Sequence, residues 1–483
     1  MKALWAVAVG LLVACNLGMW TEPAAAEGKS RPNIIFILSD DEDVAAHEFM
    51  PKTKALIEAQ GAVFDQYFVT YSFCCPSRAT ALRGQYSHNH GIQGNVLPSG
   101  GARKFRALGN DQSTIATWLH DAGYYTGLFG KYMNEYEPER ETYIPPGWDE
   151  WYAAGHDYYN YTLNENGRHV FYGNQPEDYL TDVISRQTVA AVRRAAGIGK
   201  PFFFYVAPFA PHGPATAAPR HADLFADTPF PRPPSFDEAD VSDKPSLVRD
   251  LPRLSAEQIA WIENMYRSRL RSLQAMDDLV ENVVTALQET GQLDNTYVVY
   301  TSDNGWHMGE HRMWFGKTTA YEEDIRVPFV IRGPGVTAGS RVSQMVLNND
   351  LAPTFAAAAG VTPPSFVDGR SFLPLFDDPN LPWRESFGIE RRQMESFDLT
   401  GAASFNAVRT SDWTYVEYAN GEKELYDLRA DPHQLTNIVK SADPGLVQHL
   451  SSRTAELANC AGAYCREIED APVVPAIAVS ATQ

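Results

Sequence analysis

The 483-residue chain is short of cysteine, short of basic charge, without internal repeats, and almost without long apolar runs. Five cysteines in this length cannot build a disulfide-dense scaffold, so a hydrophobic core must hold the fold. Forty Lys and Arg stand against sixty Asp and Glu, a formal charge of -20. Phosphate binding needs a basic face, so this balance argues against nucleic acid as the main partner. Any anionic substrate must therefore be drawn by a local cluster of Lys, Arg, His and metal rather than by the protein as a whole.

The one sustained apolar run, residues 2–15 (KALWAVAVGLLVAC), follows a lysine and is too short to span a bilayer comfortably. It predicts a signal peptide over residues 1–26 and export to a periplasm, the medium or an envelope surface. Two cleavage sites stay open. Leu12-Val13-Ala14-Cys15 has the form of a bacterial lipobox, with a lipid anchor at Cys15, and Ala24-Ala25-Ala26 has the form of an ordinary small-residue site.

What remains is ordinary globular sequence, 44% hydrophobic, long enough for one large domain and a smaller one. Asn33-Ile34-Ile35-Phe36-Ile37-Leu38 reads as a strand buried on both faces. Helices near 50–60, 113–121, 182–196 and 255–290 alternate with strands near 124–129, 202–207 and 296–301. That alternation predicts an α/β fold with a large, mainly parallel sheet flanked by helices. Residues 208–253, rich in Pro, Asp and Ala, predict a long surface loop over the sheet edge. From about 380 the pattern shifts to short strands at 404–409, 413–418 and 424–428, with Asn420-Gly421 as a hairpin turn. The expected division is 31–380 for the main domain, 381–470 for a small antiparallel subdomain and 471–483 for a tail.

Asp40 and Asp41 directly follow the first strand, and Asp303 and Asn304 follow the strand ending at Thr301. Ligands gather at the carboxyl ends of strands in such sheets. Hard oxygen donors of this kind suit Ca²⁺ or Mg²⁺, whereas Asp40-Asp41 alone would read as a helix cap. Cys460 and Cys465 predict a small disulfide loop in an oxidising compartment, with two free thiols as the other reading. Cys74 and Cys75 are adjacent, a geometry that disfavours bonding to each other.

Cys74-Cys75-Pro76-Ser77-Arg78, continued by Leu82 and Gly84, resembles the signature Cys-x-Pro-Ser-Arg of the sulfatase family, with Arg83 where that signature usually has Thr. Gly123-Tyr124-Tyr125-Thr126 through Gly130-Lys131 resembles the family's second signature, and Phe129 departs from its small-residue position. The likeness continues through Ala210-Pro211-His212-Gly213-Pro214, Thr301-Ser302-Asp303-Asn304-Gly305, Arg326-Val327-Pro328-Phe329 and Glu424-Leu425-Tyr426-Asp427-Leu428, about residues 31–466 in all.

The resemblance implies an alkaline-phosphatase-like fold and hydrolysis of sulfate monoesters. It implies that a formylglycine-generating enzyme oxidises Cys74 to formylglycine, whose hydrated aldehyde carries two hydroxyls. One attacks sulfur and the other expels sulfate, a release step that an unmodified thiol lacks. It further implies one divalent cation, Ca²⁺ before Mg²⁺, held by Asp40, Asp41, Asp303, Asn304 and the modified Cys74. Arg78 would hold the nucleophile, Lys131 and Lys317 the sulfate, and His212 would be the general acid.

Met133 stands where many members carry a His. The run Lys131-Tyr132-Met133-Asn134-Glu135-Tyr136 resembles instead the branch of N-acetylglucosamine-6-sulfatases and heparan 6-O-endosulfatases. That implies a sulfated sugar, with Asn134, Glu135 and Tyr136 of the types that contact sugars. A broad arylsulfatase and a phosphatase or phosphodiesterase of the same superfamily are the other readings. His307 and His311 face either substrate or solvent.

Overall fold

The computed structural model describes residues 31–392 and 403–473. The signal-region readings, including Cys15, lie outside these residues, as does most of the expected tail. The strands in chain order are β1 (Asn33–Ser39), β2 (Ala62–Phe64), β3 (Tyr67–Phe68), β4 (Tyr125–Lys131), β5 (Glu150–Ala154), β6 (Tyr161–Glu165), β7 (Arg168–Tyr172) and β8 (Phe202–Ala207). They continue with β9 (Thr296–Ser302), β10 (Phe329–Arg332), β11 (Ser340–Val342), β12 (Val346–Leu347), β13 (Ser386–Arg391), β14 (Phe405–Thr410), β15 (Trp413–Tyr418) and β16 (Lys423–Asp427). The helices that matter below are α1 (Cys74–Arg83), α2 (Ile115–Asp121), α3 (Leu180–Ile198), α4 (Ala256–Glu289) and α5 (Leu351–Ala358).

Ten strands form one sheet in the order β11-β2-β10-β9-β1-β8-β4-β5-β6-β7. The central run β9-β1-β8-β4-β5 is parallel throughout, and the antiparallel pairs lie toward the two edges. β1 sits in the middle because every one of its residues is buried. Ile34, Phe36 and Leu38 enter the core on one face, where residues of α1, α2 and α5 also pack. Ile35 and Ile37 enter the other, beneath α3 and α4. A strand apolar at both parities needs helices on both sides, and the chain supplies them.

The 34-residue α4 starts where Ser255 accepts a hydrogen bond from the Gln258 amide, with Gln258 returning the favour in a capping box. The smaller sheet, β13-β14-β15-β16, is antiparallel throughout and packs Phe387 and Ile389 against Phe68.

The helix expected at 50–60 is present at 51–58, as a turn at Pro51–Thr53 that widens into a π-type turn at Lys54–Glu58, closed by the Ala59 amide on the Lys54 carbonyl. The hairpin β6-β7 on the far edge and the strand β13 add to the expected strands. The 208–253 segment leaves β8, a central strand, and is not a free surface loop. It buries Phe230, Ser235, Glu238, Val241, Lys244 and Val248, with the Lys244 ammonium donating to the Tyr426 hydroxyl and the Gln434 carbonyl. The reason is that a buried charge stays only where it is paired.

Candidate active site

Strand ends and one helix start converge on a single point. β1 delivers Asp40 and Asp41, β4 delivers Lys131, the loop after β8 delivers His212, and β9 delivers Asp303 and Asn304. Cys74 is the first residue of α1, where the helix dipole favours negative charge. All ten residues of α1 are buried, and Gly84 ends it in the left-handed conformation (φ 68°). A Cβ there would meet Val367 at 2.9 Å, which accounts for the glycine of the signature. At the second signature, a Cβ on Gly130 would stand 2.1 Å from the Ala207 carbonyl oxygen, so only glycine lets β4 lie this close to β8.

The side chains interlock. Arg78 donates through Nε to Asp303 at 2.7 Å and through Nη1 to the Lys131 carbonyl at 2.9 Å. Lys131 pairs with Asp40, and Lys317 pairs with Asp41. Lys317 Nζ also lies 2.9 Å from Cys74 Sγ and 3.4 Å from Asn304 Oδ1. Asn304 donates to Asp41 at 2.7 Å, and the Asp41 amide donates to Asp303 at 3.1 Å. Asp41 carries this with a left-handed backbone (φ 69°), a strained state for a non-glycine residue, locked by Arg269 donating to its carbonyl. His212 Nδ1 lies 2.8 Å from the Gly213 carbonyl, which leaves Nε2 facing Asp41 at 3.6 Å.

Burial would push Asp40 and Asp41 up, but the surrounding cations win. Lys131, His212 and Arg78 hold Asp40 well below the carboxylate range, and Lys317 and His212 lower Asp41. Burial pushes the Cys74 thiol up in spite of Lys131 and Lys317. A neutral thiol here is a weak nucleophile, which fits a cysteine that must be converted before it serves. Three carboxylates (Asp40, Asp41, Asp303) stand among three basic side chains (Arg78, Lys131, Lys317), and burial, with Asp40 next, pushes Asp303 up.

The donor set fits a divalent cation. Ligand atoms of Asp40, Asp41, Cys74 and His212 lie within 4.8 Å of one another, and the buried Asp41 Oδ2 has no hydrogen-bond partner. A dication would add positive charge to the centre, which is what an anionic ester requires in a chain of charge -20.

The contacts above thus bring together Asp40, Asp41, Cys74, Arg78, Lys131, His212, Asp303, Asn304 and Lys317, the residues singled out from the sequence. Other expectations fare differently. His307 is buried against Asp324 at 2.8 Å, and His311 is buried against Glu238 at 2.7 Å and stacked on Tyr321, so neither faces solvent. Tyr136 is a core residue whose hydroxyl accepts from Trp151 and Asn164, each at 2.7 Å. Asn134 accepts from the Cys75 thiol at 3.3 Å and donates its amide back at 3.1 Å. This is the role of the second cysteine: it ties α1 to the end of β4. Cys460 and Cys465 form a disulfide.

Residues the sequence did not announce include Arg269, Asn95, which caps the Cys75 amide at 2.9 Å, and Phe209, whose ring stacks on His212 at 4.5 Å. Arg269 and Asn95 reach the site from segments distant in sequence, whereas Phe209 lies three residues before His212 but outside the quoted motif.

The family model for sulfatases matches residues 32–361, and that for the C-terminal region of N-sulphoglucosamine sulphohydrolase matches 309–459. An arylsulfatase of Volvox carteri is 36% identical over 93% of this chain and 78% of its own length. The N-acetylglucosamine-6-sulfatase of Homo sapiens is 36% identical over 91% of this chain and 87% of its own. A solved structure in complex with its substrate, D-glucosamine-2-N,6-O-disulfate, superposes with a TM-score of 0.76 at 27% identity, covering 91% of this chain and 99% of that one. The family brings with it a metal and a formylglycine made from the signature cysteine. The chain belongs to the sulfatase family and is a sulfuric ester hydrolase.

Proposed function

We propose that this enzyme removes the 6-O-sulfate of an N-acetylglucosamine-type sugar, with Cys74, matured by a formylglycine-generating enzyme, as the nucleophile. Support comes from the human relative, the neighbour that holds a glucosamine disulfate, and the Lys131–Tyr136 run. The observation that carries the reaction is the convergence of Cys74, Lys317, Lys131 and His212 at one buried point.

Asp40, Asp41, Asp303 and Asn304 would hold the cation; their oxygen donors suit Ca²⁺ or Mg²⁺, and the family resemblance favours Ca²⁺. The metal, when bound, supplies positive charge to the nucleophile and the sulfate oxygens. The chain's own residues do the rest. Arg78 fixes Asp303 and the Lys131 backbone, so that both strand ends keep their spacing around Cys74. Lys131 and Lys317 present buried, permanently charged donors to the sulfate oxygens, which need no reorganisation as charge develops. Gly213 holds His212 Nδ1, so the proton that leaves from Nε2 is aimed at the departing alcohol.

The arylsulfatase reading keeps one specific support, the Volvox relative at the same identity as the human one. Sulfate release from N-acetylglucosamine 6-sulfate, compared with an aryl sulfate, decides between them. The N-terminal run and the disulfide support export of the protein. Residues 381–470 are read as a subdomain of the catalytic unit. Among the described residues no helix is long and apolar enough to cross a membrane.

A further inference from the structure

Beside the sulfate site lies a second hollow of about 550 Å³, at the carboxyl ends of β4 and β5. Its walls include Glu135, Glu137, Glu139, His156, Asp157 and Asn160, and neither Lys nor Arg lines it. The volume falls in the range of roughly 300–1,000 Å³ typical of small-ligand pockets. Two of its wall residues carry buried polar atoms without a partner: His156 Nε2 and Glu135 Oε2. Glu135 holds a left-handed backbone (φ 64°), as does Asn160 (φ 54°), and the Glu135 carboxyl packs where a Cβ on Gly101 would come within 2.3 Å of it. Strain and unpaired polar atoms that gather on one pocket wall mark a site shaped for a ligand rather than for stability.

The hollow is joined to the reaction centre through one ring. Phe209 packs edge to face with His156 at 5.9 Å, stacks on His212 at 4.5 Å, and lies under Lys131 Nζ at 5.5 Å. Tyr158, two residues past His156, donates its hydroxyl to the His212 carbonyl at 2.7 Å. The loop after β5 therefore braces the candidate general acid and walls the hollow at once. Burial, with the Lys131 charge next, holds the His156 imidazole neutral, pushed down to about 3. A neutral imidazole offers a hydrogen-bond donor and an acceptor together, and sugar hydroxyls and amides need both.

We propose that this hollow seats the uncharged, hydroxyl-bearing part of the leaving sugar, with His156 and Glu135 as its specificity determinants. The proposal rests on the sugar-sulfate reading above. The acidic wall directs a neutral or cationic group here and turns away a second sulfate.

The test is the ratio of kcat/KM for N-acetylglucosamine 6-sulfate to that for 4-nitrophenyl sulfate, in formylglycine-bearing wild type, His156→Ala and Glu135→Gln. The ratio should fall about 10- to 100-fold in each variant, chiefly through KM for the sugar. Glu135→Gln is nearly isosteric and answers the question if His156→Ala folds poorly. Sugar turnover by wild type with the ratio unchanged in folded variants overturns the hollow as the sugar site and leaves the sugar-sulfatase reading standing. Wild type that turns over only the aryl ester overturns that reading and, with it, the ligand assigned here.

Discussion

Lys317 and Cys74 are in direct contact: the ammonium lies 2.9 Å from the sulfur at the first turn of α1. The same ammonium is paired with Asp41; burial works against its charge, but Asp41 and the neighbouring carboxylates Asp303 and Asp40 raise its pKa. It therefore stays charged across any working pH, so its charge neither limits nor switches the reaction.

Lys317→Ala should lower kcat by about 10²- to 10³-fold, the usual cost of losing one preorganised donor. Lys131→Ala should do the same. Steady-state kinetics on one aryl sulfate checks this, with formylglycine content measured in each variant to separate catalysis from maturation.

His212→Ala should damage sugar sulfate turnover far more than aryl sulfate turnover. A phenolate leaves with little proton help, whereas a sugar alkoxide needs an acid. A difference of about 10²-fold or more between the two losses is expected, and equal losses would remove His212 from that role.

Chelation should abolish activity and lower Tm, with Ca²⁺ restoring both. Asp41→Asn should weaken metal binding, read by elemental analysis of the purified protein. A full activity in metal-free protein would contradict the donor set.

Tyr136→Phe should cost about 1–3 kcal/mol of stability, because Trp151 and Asn164 lose their buried acceptor. Thermal unfolding checks this.

His90 sets part of the acid limit. It is buried, its Nδ1 accepts the Ile92 amide at 3.1 Å, and its Nε2 meets Thr80 of α1 at 3.0 Å. Burial, with Arg83 next, pushes its pKa down to about 3. The folded state thus resists a proton that the unfolded chain takes up near pH 6.5. Its contribution is complete above that value and falls as pH drops toward 3, by about 1.4 kcal/mol per pH unit. His90→Asn should remove about one proton from the slope of stability against pH over that window.

The parts legible in sequence are those fixed by local pattern. β1 is readable because it is apolar at both parities, α4 because its period runs unbroken from Ser255, and the reaction centre because each member sits at a strand or helix end within a recognisable motif. The structural contacts of Tyr136 and Asn134 are not legible in the sequence, because their partners Trp151, Asn164 and Cys75 arrive from elsewhere in the chain. His156 escaped notice for a related reason: β5 gives no periodic signal, so the loop beyond it was not seen as a strand end. His307 and His311 show the limit of spacing arguments, since the buried Asp324 and Glu238 that claim them lie 17 and 73 residues away.

The central claim is that Cys74, once converted, performs sulfate ester hydrolysis. Peptide mass spectrometry and sulfate release on the same preparation test it most directly, across samples made with and without a formylglycine-generating enzyme. Activity should rise in proportion to the fraction of Cys74 converted, with Cys75 unchanged and Cys74→Ala inactive. Full activity with the mass at Cys74 unaltered would contradict the account.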